Sequence, residues 1–197
     1  MNLSETKRQQ IIDAALLEFQ LKGFKSCSMD DISTRADVSK RTVYNHFGSK
    51  DELFISVVFY SHEKMHDVVK IEYDPEISIA QQLVHIARSE IGLMQSKEIQ
   101  QFARMLLAEL ITNPKMVLLL ESKRPGFEAK FDSWLKAAVK NGALRITDYD
   151  TAVQQFFGVL KGSAFWPALL QGKKLSKQKM EKVAQSTVEL FLNTYAV

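Results

Sequence analysis

His62-Glu63-Lys64-Met65-His66 sets two imidazoles four residues apart with a carboxylate beside the first. On a helix that spacing puts both rings on one face, where they could ligate zinc while Glu63 served as general base in a hydrolysis. A catalytic zinc takes three protein ligands and a water. The longer form of the motif fails here at Val69 and Glu72, Glu90 is a third ligand only by distance along the chain, and Lys64 puts a positive charge where apolar neighbours are usual. The expectation is a chain that is not an enzyme, with a zinc-dependent hydrolase through His62, Glu63 and His66 as the alternative. Phe59, His62, His66 and Val69 also form one stripe. The two histidines could therefore border a ligand pocket, sense a metal or pH, or sit as satisfied polar groups at a packing seam.

A second constellation gathers Lys40, Arg41, Thr42, Tyr44, Asn45 and His46 within seven positions. Cationic, hydroxyl and amide groups are the types that bond phosphates and base edges. Around them Ile32, Ala36, Val38, Val43 and Phe47 are spaced to pack one short helix on the next, leaving the polar groups outside for a major groove. The same pattern fits any short capped helix with a solvated face. Cys27 is the single cysteine, so no intramolecular disulfide is possible, and no histidine lies beside it in sequence. No glycine-rich phosphate loop occurs, and no cofactor is expected.

These groups need elements to hold them. Ile12, Ala15, Leu16 and Phe19 recur at helical spacing and predict a helix over about 4–21, closed by Gly23. Ser28 with Asp31 reads as the cap of a short helix to about Ala36, and Ser39 as the cap of a third to about Phe47. Ser49 and Glu52 form a capping box that opens a long helix towards Ile71. Asp74-Pro75 and Asn113-Pro114 each pair a capping side chain with a proline suited to a first helical turn. They predict helices over 75–94 and 114–140, with another over 97–112, and Arg124-Pro125-Gly126 should kink or split the 114–140 segment. Gly142 closes it, Thr147 and Asp148 start a helix to about Leu170, and Ser176 caps the last, ending near Tyr195.

Of 197 residues, 46% are apolar and 25% charged, a globular balance that makes disorder untenable. Only 8 glycines and 4 prolines occur, and alternating strand patterns are missing, so the expected class is all-α. The net charge of +3 permits a local cationic face without arguing for one. The polar stretch Met1–Arg8 lacks a signal peptide's apolar centre, and no run approaches the roughly 20 apolar residues of a spanning helix. A cytoplasmic chain with no membrane partner is expected.

Gly23-Phe24, Met29-Asp30-Asp31-Ile32, Ala36-Asp37-Val38-Ser39, Thr42-Val43-Tyr44-Asn45-His46-Phe47 and Ser49-Lys50-Asp51-Glu52-Leu53 resemble, in order and spacing, the signature of the TetR family of regulators. The specific part is Tyr-x-His-Phe followed by a lysine that opens the next helix. The resemblance implies a three-helix helix-turn-helix DNA-binding domain over 1–49 and a larger helical ligand-binding and dimerisation domain over 50–197. It places Lys40, Arg41, Thr42, Asn45 and His46 towards DNA, makes Tyr44 and Lys50 phosphate contacts, and adds Ser28 at the start of the second helix. Phe131 to Leu135, Gly142-Ala143-Leu144, Asp148, Ala152, Gln155-Phe156-Phe157-Gly158, Gly162 and Pro167 look like the C-terminal domain of the AefR-like branch.

Family members bind small molecules in that domain. Met94, Phe102, Met105, Leu106, Trp134, Phe156, Phe157 and Trp166, with His62 and His66, are the candidates to line a pocket, although any one of them also reads as ordinary core. The resemblance also implies a homodimer through Gly158, Gly162 and Ala164 on one helix and Val183, Ser186, Thr187, Leu190 and Thr194 on the last. Two recognition helices roughly 34–36 Å apart would then match a palindromic operator. The expected protein is a repressor released from operator DNA by a small-molecule effector of unknown identity. An architectural DNA-binding protein without effector is the other reading, and it would show little sequence preference.

Overall fold

The structure, a computed structural model, describes residues 3–66, 71–122 and 129–197, the side chains of residues 65, 66, 121, 122 and 129 apart. The chain runs through α1 (Leu3–Lys22), α2 (Met29–Arg35), α3 (Lys40–His46), α4 (Lys50–His66), α5 (Ile79–Met94) and α6 (Lys97–Thr112). It continues through α7 (Pro114–Ser122), α8 (Ala129–Lys140), α9 (Tyr149–Leu160), α10 (Trp166–Gln171) and α11 (Lys177–Tyr195). The fold is all-α, with an N-terminal helical bundle and a larger C-terminal helical part. The single extended pairing among the described residues is an isolated bridge between Leu144 and Ala196.

The contacts define two compact units. One contains Met1–His66 with Gln101–Pro125, the other Asp67–Gln100 with Gly126–Val197. In the first, Ile11, Ile12, Ala15 and Phe19 line one face of α1 and are buried beside Leu53, Phe54, Val57 and Val58 of α4. Phe19, Phe24 and Phe54 interlock with ring centroids 4.8–5.5 Å apart. Such pairs add about 0.5–1.5 kcal/mol each beyond their buried area. Gly23 ends α1 at φ +77°, a conformation that costs a residue with a Cβ, and its N–H closes on the Phe19 carbonyl at 2.9 Å.

In the second unit, Leu83, Ile86, Ala87 and Ile91 of α5 share a core with Phe131, Trp134, Leu135, Phe156, Phe157, Leu160, Val188 and Phe191. Between α9 and α10 the helix widens into a π turn at Lys161–Phe165. Pro167, in the first turn of α10, has no N–H to offer the preceding turn. The wider turn has a packing purpose. Phe156, Leu160, Ala164 and Ala168 recur every fourth residue and all are buried, a spacing that drifts by about 40° a step in an α-helix.

Several expectations need correction. The helix opened by Ser49 does not reach Ile71: residues 71–74 are not helical, and α4 is described over Lys50–His66. Asp74-Pro75 begins a turn, with Asp74 Oδ1 accepting from the Glu76 N–H at 2.9 Å. The cap of α5 is Ser78, which accepts from Gln81 N–H at 3.3 Å. The split expected within 114–140 needs no such correction: α7 and α8 are the described parts on either side, and Arg124-Pro125-Gly126 lies outside the described residues. The remaining boundaries fall within two residues of those expected.

Candidate nucleic-acid interface

Ser28 caps α2 with a complete box: its Oγ accepts from the Asp31 N–H, while its N–H and hydroxyl both donate to Asp31 Oδ2. Asp37 then takes a left-handed φ of +52°, a turn that short polar side chains tolerate, and Val38 N–H closes on the Ser33 carbonyl at 3.1 Å. Ser39 accepts from Thr42 N–H at 3.1 Å and starts α3. Val43 is fully buried and Phe47 nearly so, with Ile32 and Ala36 beneath them. The apolar face of α3 is thereby fixed, and its opposite face can only point away from the core.

On that opposite face stand Lys40, Arg41, Tyr44 and Asn45, all exposed, with Thr42 and His46 half-buried beside them. Tyr44 is 45% exposed despite its ring. Among the described residues, Arg41, Tyr44 and Asn45 have no intrachain hydrogen-bond or ion-pair partner, whereas two of their neighbours are engaged. Lys40 Nζ pairs with Asp30 Oδ1 at 2.7 Å, which raises its pKa, and the Thr42 hydroxyl shares a 2.8 Å hydrogen bond with Ser39 Oγ.

Behind this face runs an ionic frame. Glu18, buried on α1, accepts from Arg35 Nε at 2.5 Å and pairs with Lys22 at 2.9 Å, and Lys22 also reaches Asp31 at 2.8 Å. Lys22 first and Arg35 second hold the Glu18 carboxyl below its ordinary range. Lys22 and then Ser28 hold Asp31 far below its own. Arg8 lies over the Phe47 ring at 5.0 Å. These contacts stiffen the head at positions that local helix patterns do not mark.

Two expected DNA contacts are committed within the chain. Ser28 spends its hydroxyl on the cap. Lys50 Nζ donates to the carbonyls of Phe24 at 2.8 Å and Cys27 at 2.9 Å and lies 4.5 Å from the centre of the Phe24 ring. Its ammonium holds the α1–α2 loop against the start of α4. Cys27 is buried, and burial with the nearby Glu18 and Asp31 charges pushes its thiol up to about 11. A thiol so placed is inert.

The expected pocket residues fall into two cores. Phe102, Met105 and Leu106 belong to the first unit, as does His62, which is half-buried on α4; the His66 side chain lies outside the described residues. Met94, Trp134, Phe156 and Phe157 belong to the core of the second unit, while Trp166 is 42% exposed with its ring against Phe165. Among the described residues no group of three or more His, Cys, Asp or Glu could hold a metal ion. None of the described helices is long and apolar enough to cross a membrane.

Of the expected seam residues, Gly158 and Gly162 are exposed with open space where a Cβ would stand, Val183 is half-buried, Thr187 is buried and Leu190 is 58% exposed. Between α9 and α11 runs an open groove of about 240 Å³ lined by Gln155, Phe156, Val159, Leu190, Phe191 and Thr194. Gln155, Phe156, Val159 and Phe191 were not among the expected seam residues, and their signal was a mixed apolar and polar face on α9 and α11.

Comparison with known proteins finds matches at both ends of the chain. Residues 11–57 match the family profile described as bacterial regulatory proteins of the tetR family. Residues 81–197 match the one described as the C-terminal domain of AefR-like transcriptional repressors. The crystal structure of a TetR family transcriptional regulator from Pseudomonas syringae pv. tomato str. DC3000 shares 33% identity over 99% of this chain and 100% of its own, with a TM-score of 0.76. A structure assigned to the same family from Mesorhizobium loti MAFF303099 shares 29% identity over the whole of both chains, with a TM-score of 0.83. The HTH-type transcriptional regulator SrpR of Pseudomonas putida is 26% identical over 81% of this chain and 74% of its own.

Proposed function

Because the chain belongs to the TetR family of transcriptional regulators, we propose that it binds a palindromic operator as a homodimer and leaves it when a small molecule binds its C-terminal domain. The observation that carries the reading is the outer face of α3. Arg41, Tyr44 and Asn45 are held out by a buried Val43 and have no intrachain hydrogen-bond or ion-pair partner among the described residues. Arg41 and Asn45 suit base edges and Tyr44 suits a phosphate, with Lys40, Thr42 and His46 flanking them. Ser28 and Lys50 act through the α1–α2 loop that they fix.

The head is assigned to residues 1–49 and the regulatory domain to 50–197, with the C-terminal part in the AefR-like branch. The groove between α9 and α11, lined in part by Thr187 and Leu190 and flanked by Gly158, Gly162 and Val183, is the surface assigned to the second copy, since Gly158 on α9 and Gly162 in the π turn let a partner helix approach closely. The protein acts in the cytoplasm, without a cofactor and without catalysis. Effector binding favours one spacing of the two heads over another, a shift of populations in a dimer.

Selection of bound fragments from random duplex DNA tests this. Enrichment of an inverted repeat is the expected result. A purified chain that enriches no sequence would overturn the reading.

A further inference from the structure

Residues 73–77, ahead of α5, are tied to their own unit by side chains. Gln82, 8% exposed on α5, spends its whole amide there. Nε2 donates to the carbonyls of Asp74 at 2.6 Å and Ile77 at 2.7 Å. Oε1 accepts from the Asp74 N–H at 3.0 Å and from Trp134 Nε1–H at 3.2 Å. The amide has one workable orientation, because both groups on one side only donate and both on the other only accept. Tyr73 adds a second tie: its ring meets Trp134 edge-on at 5.7 Å, and its hydroxyl accepts from Asn141 Nδ2 at 2.9 Å.

Trp134 is also the end of an aromatic ladder. It stacks on Phe131 at 5.7 Å with the planes 8° apart, Phe131 stacks on Phe156 at 4.8 Å, and Phe156 meets Phe191 edge-on at 5.4 Å. Phe156 and Phe191 line the groove between α9 and α11. An unbroken line of packed rings therefore joins that groove to the buried Gln82 amide, and the amide to Asp74 and Ile77.

We propose that Gln82 and Trp134 form a coupling latch, through which the packing state of the aromatic core sets how firmly residues 73–77, the chain leaving α4, are held. This rests on reading the chain as a regulator whose α4 carries the DNA-binding head. The latch has discrete states. Moving Trp134 strips Oε1 of one donor, and turning the amide loses the Asp74 and Ile77 carbonyls together, which leaves buried polar groups unpaired. Elements with two discrete arrangements transmit a shift, whereas continuously yielding ones absorb it.

Amide hydrogen exchange over residues 73–78 and affinity for the duplex that the wild-type chain selects from random DNA are measured on Gln82→Leu, Trp134→Phe and the double variant. Gln82→Leu is expected to speed exchange in the segment by about tenfold, and Trp134→Phe, which keeps a ring in place, by less. Operator affinity is expected to fall several-fold in the same order. The double variant should be little worse than Gln82→Leu alone, because the two residues act as one unit. Faster exchange with operator affinity equal to wild type overturns the proposal, and so does unchanged exchange. Should Gln82→Leu fail to fold, Trp134→Phe carries the same two readouts. A wild-type chain that enriches no duplex removes the regulator reading itself, an outcome distinct from a latch that opens without effect.

Discussion

Lys50 Nζ donates to the Phe24 carbonyl at 2.8 Å and so fastens the first turn of α4 to the loop that leaves α1, across 26 residues of sequence. A cation that caps backbone oxygens inside the head does work that no phosphate is needed to explain.

Lys50→Met tests the two roles against each other. It keeps the stem over Phe24 and leaves the Phe24 and Cys27 carbonyls without their donor, which should cost about 1–3 kcal/mol of stability. Denaturant unfolding reads that loss. Operator affinity should keep its dependence on salt; a slope flatter by about one counterion would return Lys50 to the phosphate backbone.

The head should be acid-labile over a defined range. Lys22 and Ser28 hold Asp31 far below its ordinary value of 3.8, and Lys22 and Arg35 hold Glu18 below 4.5. A carboxyl depressed in the folded state stabilises fully above its ordinary value and loses that contribution as pH falls through the folded one. Unfolding midpoints should therefore stay level from neutral pH to about 5 and drop below about 4. Asp31→Asn should be weaker at neutral pH and should show a shallower fall. An equally steep acid limb in that variant would remove Asp31 from the account.

Replacing α3 side chains should separate affinity from preference. Tyr44→Phe is expected to weaken all duplexes alike, since a phosphate contact carries no sequence. Asn45→Ala should relax preference at particular base pairs, where a good contact discriminates by about 1–3 kcal/mol. Repeated selection from random DNA distinguishes them, and a uniform loss for Asn45→Ala would strip it of base reading.

Gly158 has open space where its Cβ would stand, so the Cβ of Gly158→Leu meets no described atom within 4 Å. A mid-helix glycine costs roughly 0.5–1 kcal/mol against alanine, and the isolated chain should be no less stable with the larger residue. Sedimentation should nonetheless show a weakened dimer, as should Leu190→Lys. If both variants dimerise as wild type does, the seam lies elsewhere.

Cys27 should resist thiol reagents in the folded protein at pH 8, since burial pushes its thiol up to about 11. It should react at once in denaturant. Rapid labelling of the native chain would show that the loop from Phe24 to Cys27 opens readily.

What the sequence makes legible is local. Ser28, Ser39, Ser49 and Ser176 each announce a helix, because a cap and its partner lie three residues apart and solvent hardly alters the geometry. Asp74-Pro75 misleads for a complementary reason. Its aspartate turns to the Glu76 N–H, and Gln82 draws the next carbonyls inward, so the helix starts only at Ser78's cap. The polar Gln82 on the mostly apolar buried face of α5, which also carries Glu90, was the available sign of such a hub. Phe102 and Trp134 both read as buried from their helical phase, yet phase says nothing about which neighbours will enclose them, and they lie in separate cores. Lys50 was recognised by its motif, while its partners in the α1–α2 loop are visible only once α1 and α4 have met.

The π turn at Lys161–Phe165 makes chain length itself a coordinate of this protein. Restoring ordinary pitch there with every residue kept would swing α10 through roughly 90–100°, carrying Trp166 and Leu170 round the axis and turning Ala168 away from the interior. The extra residue and the wider turn offset each other: a related sequence one residue shorter could run straight through at ordinary pitch and lodge the same face of its tenth helix, whereas a second insertion or a deletion elsewhere in the stretch would turn it.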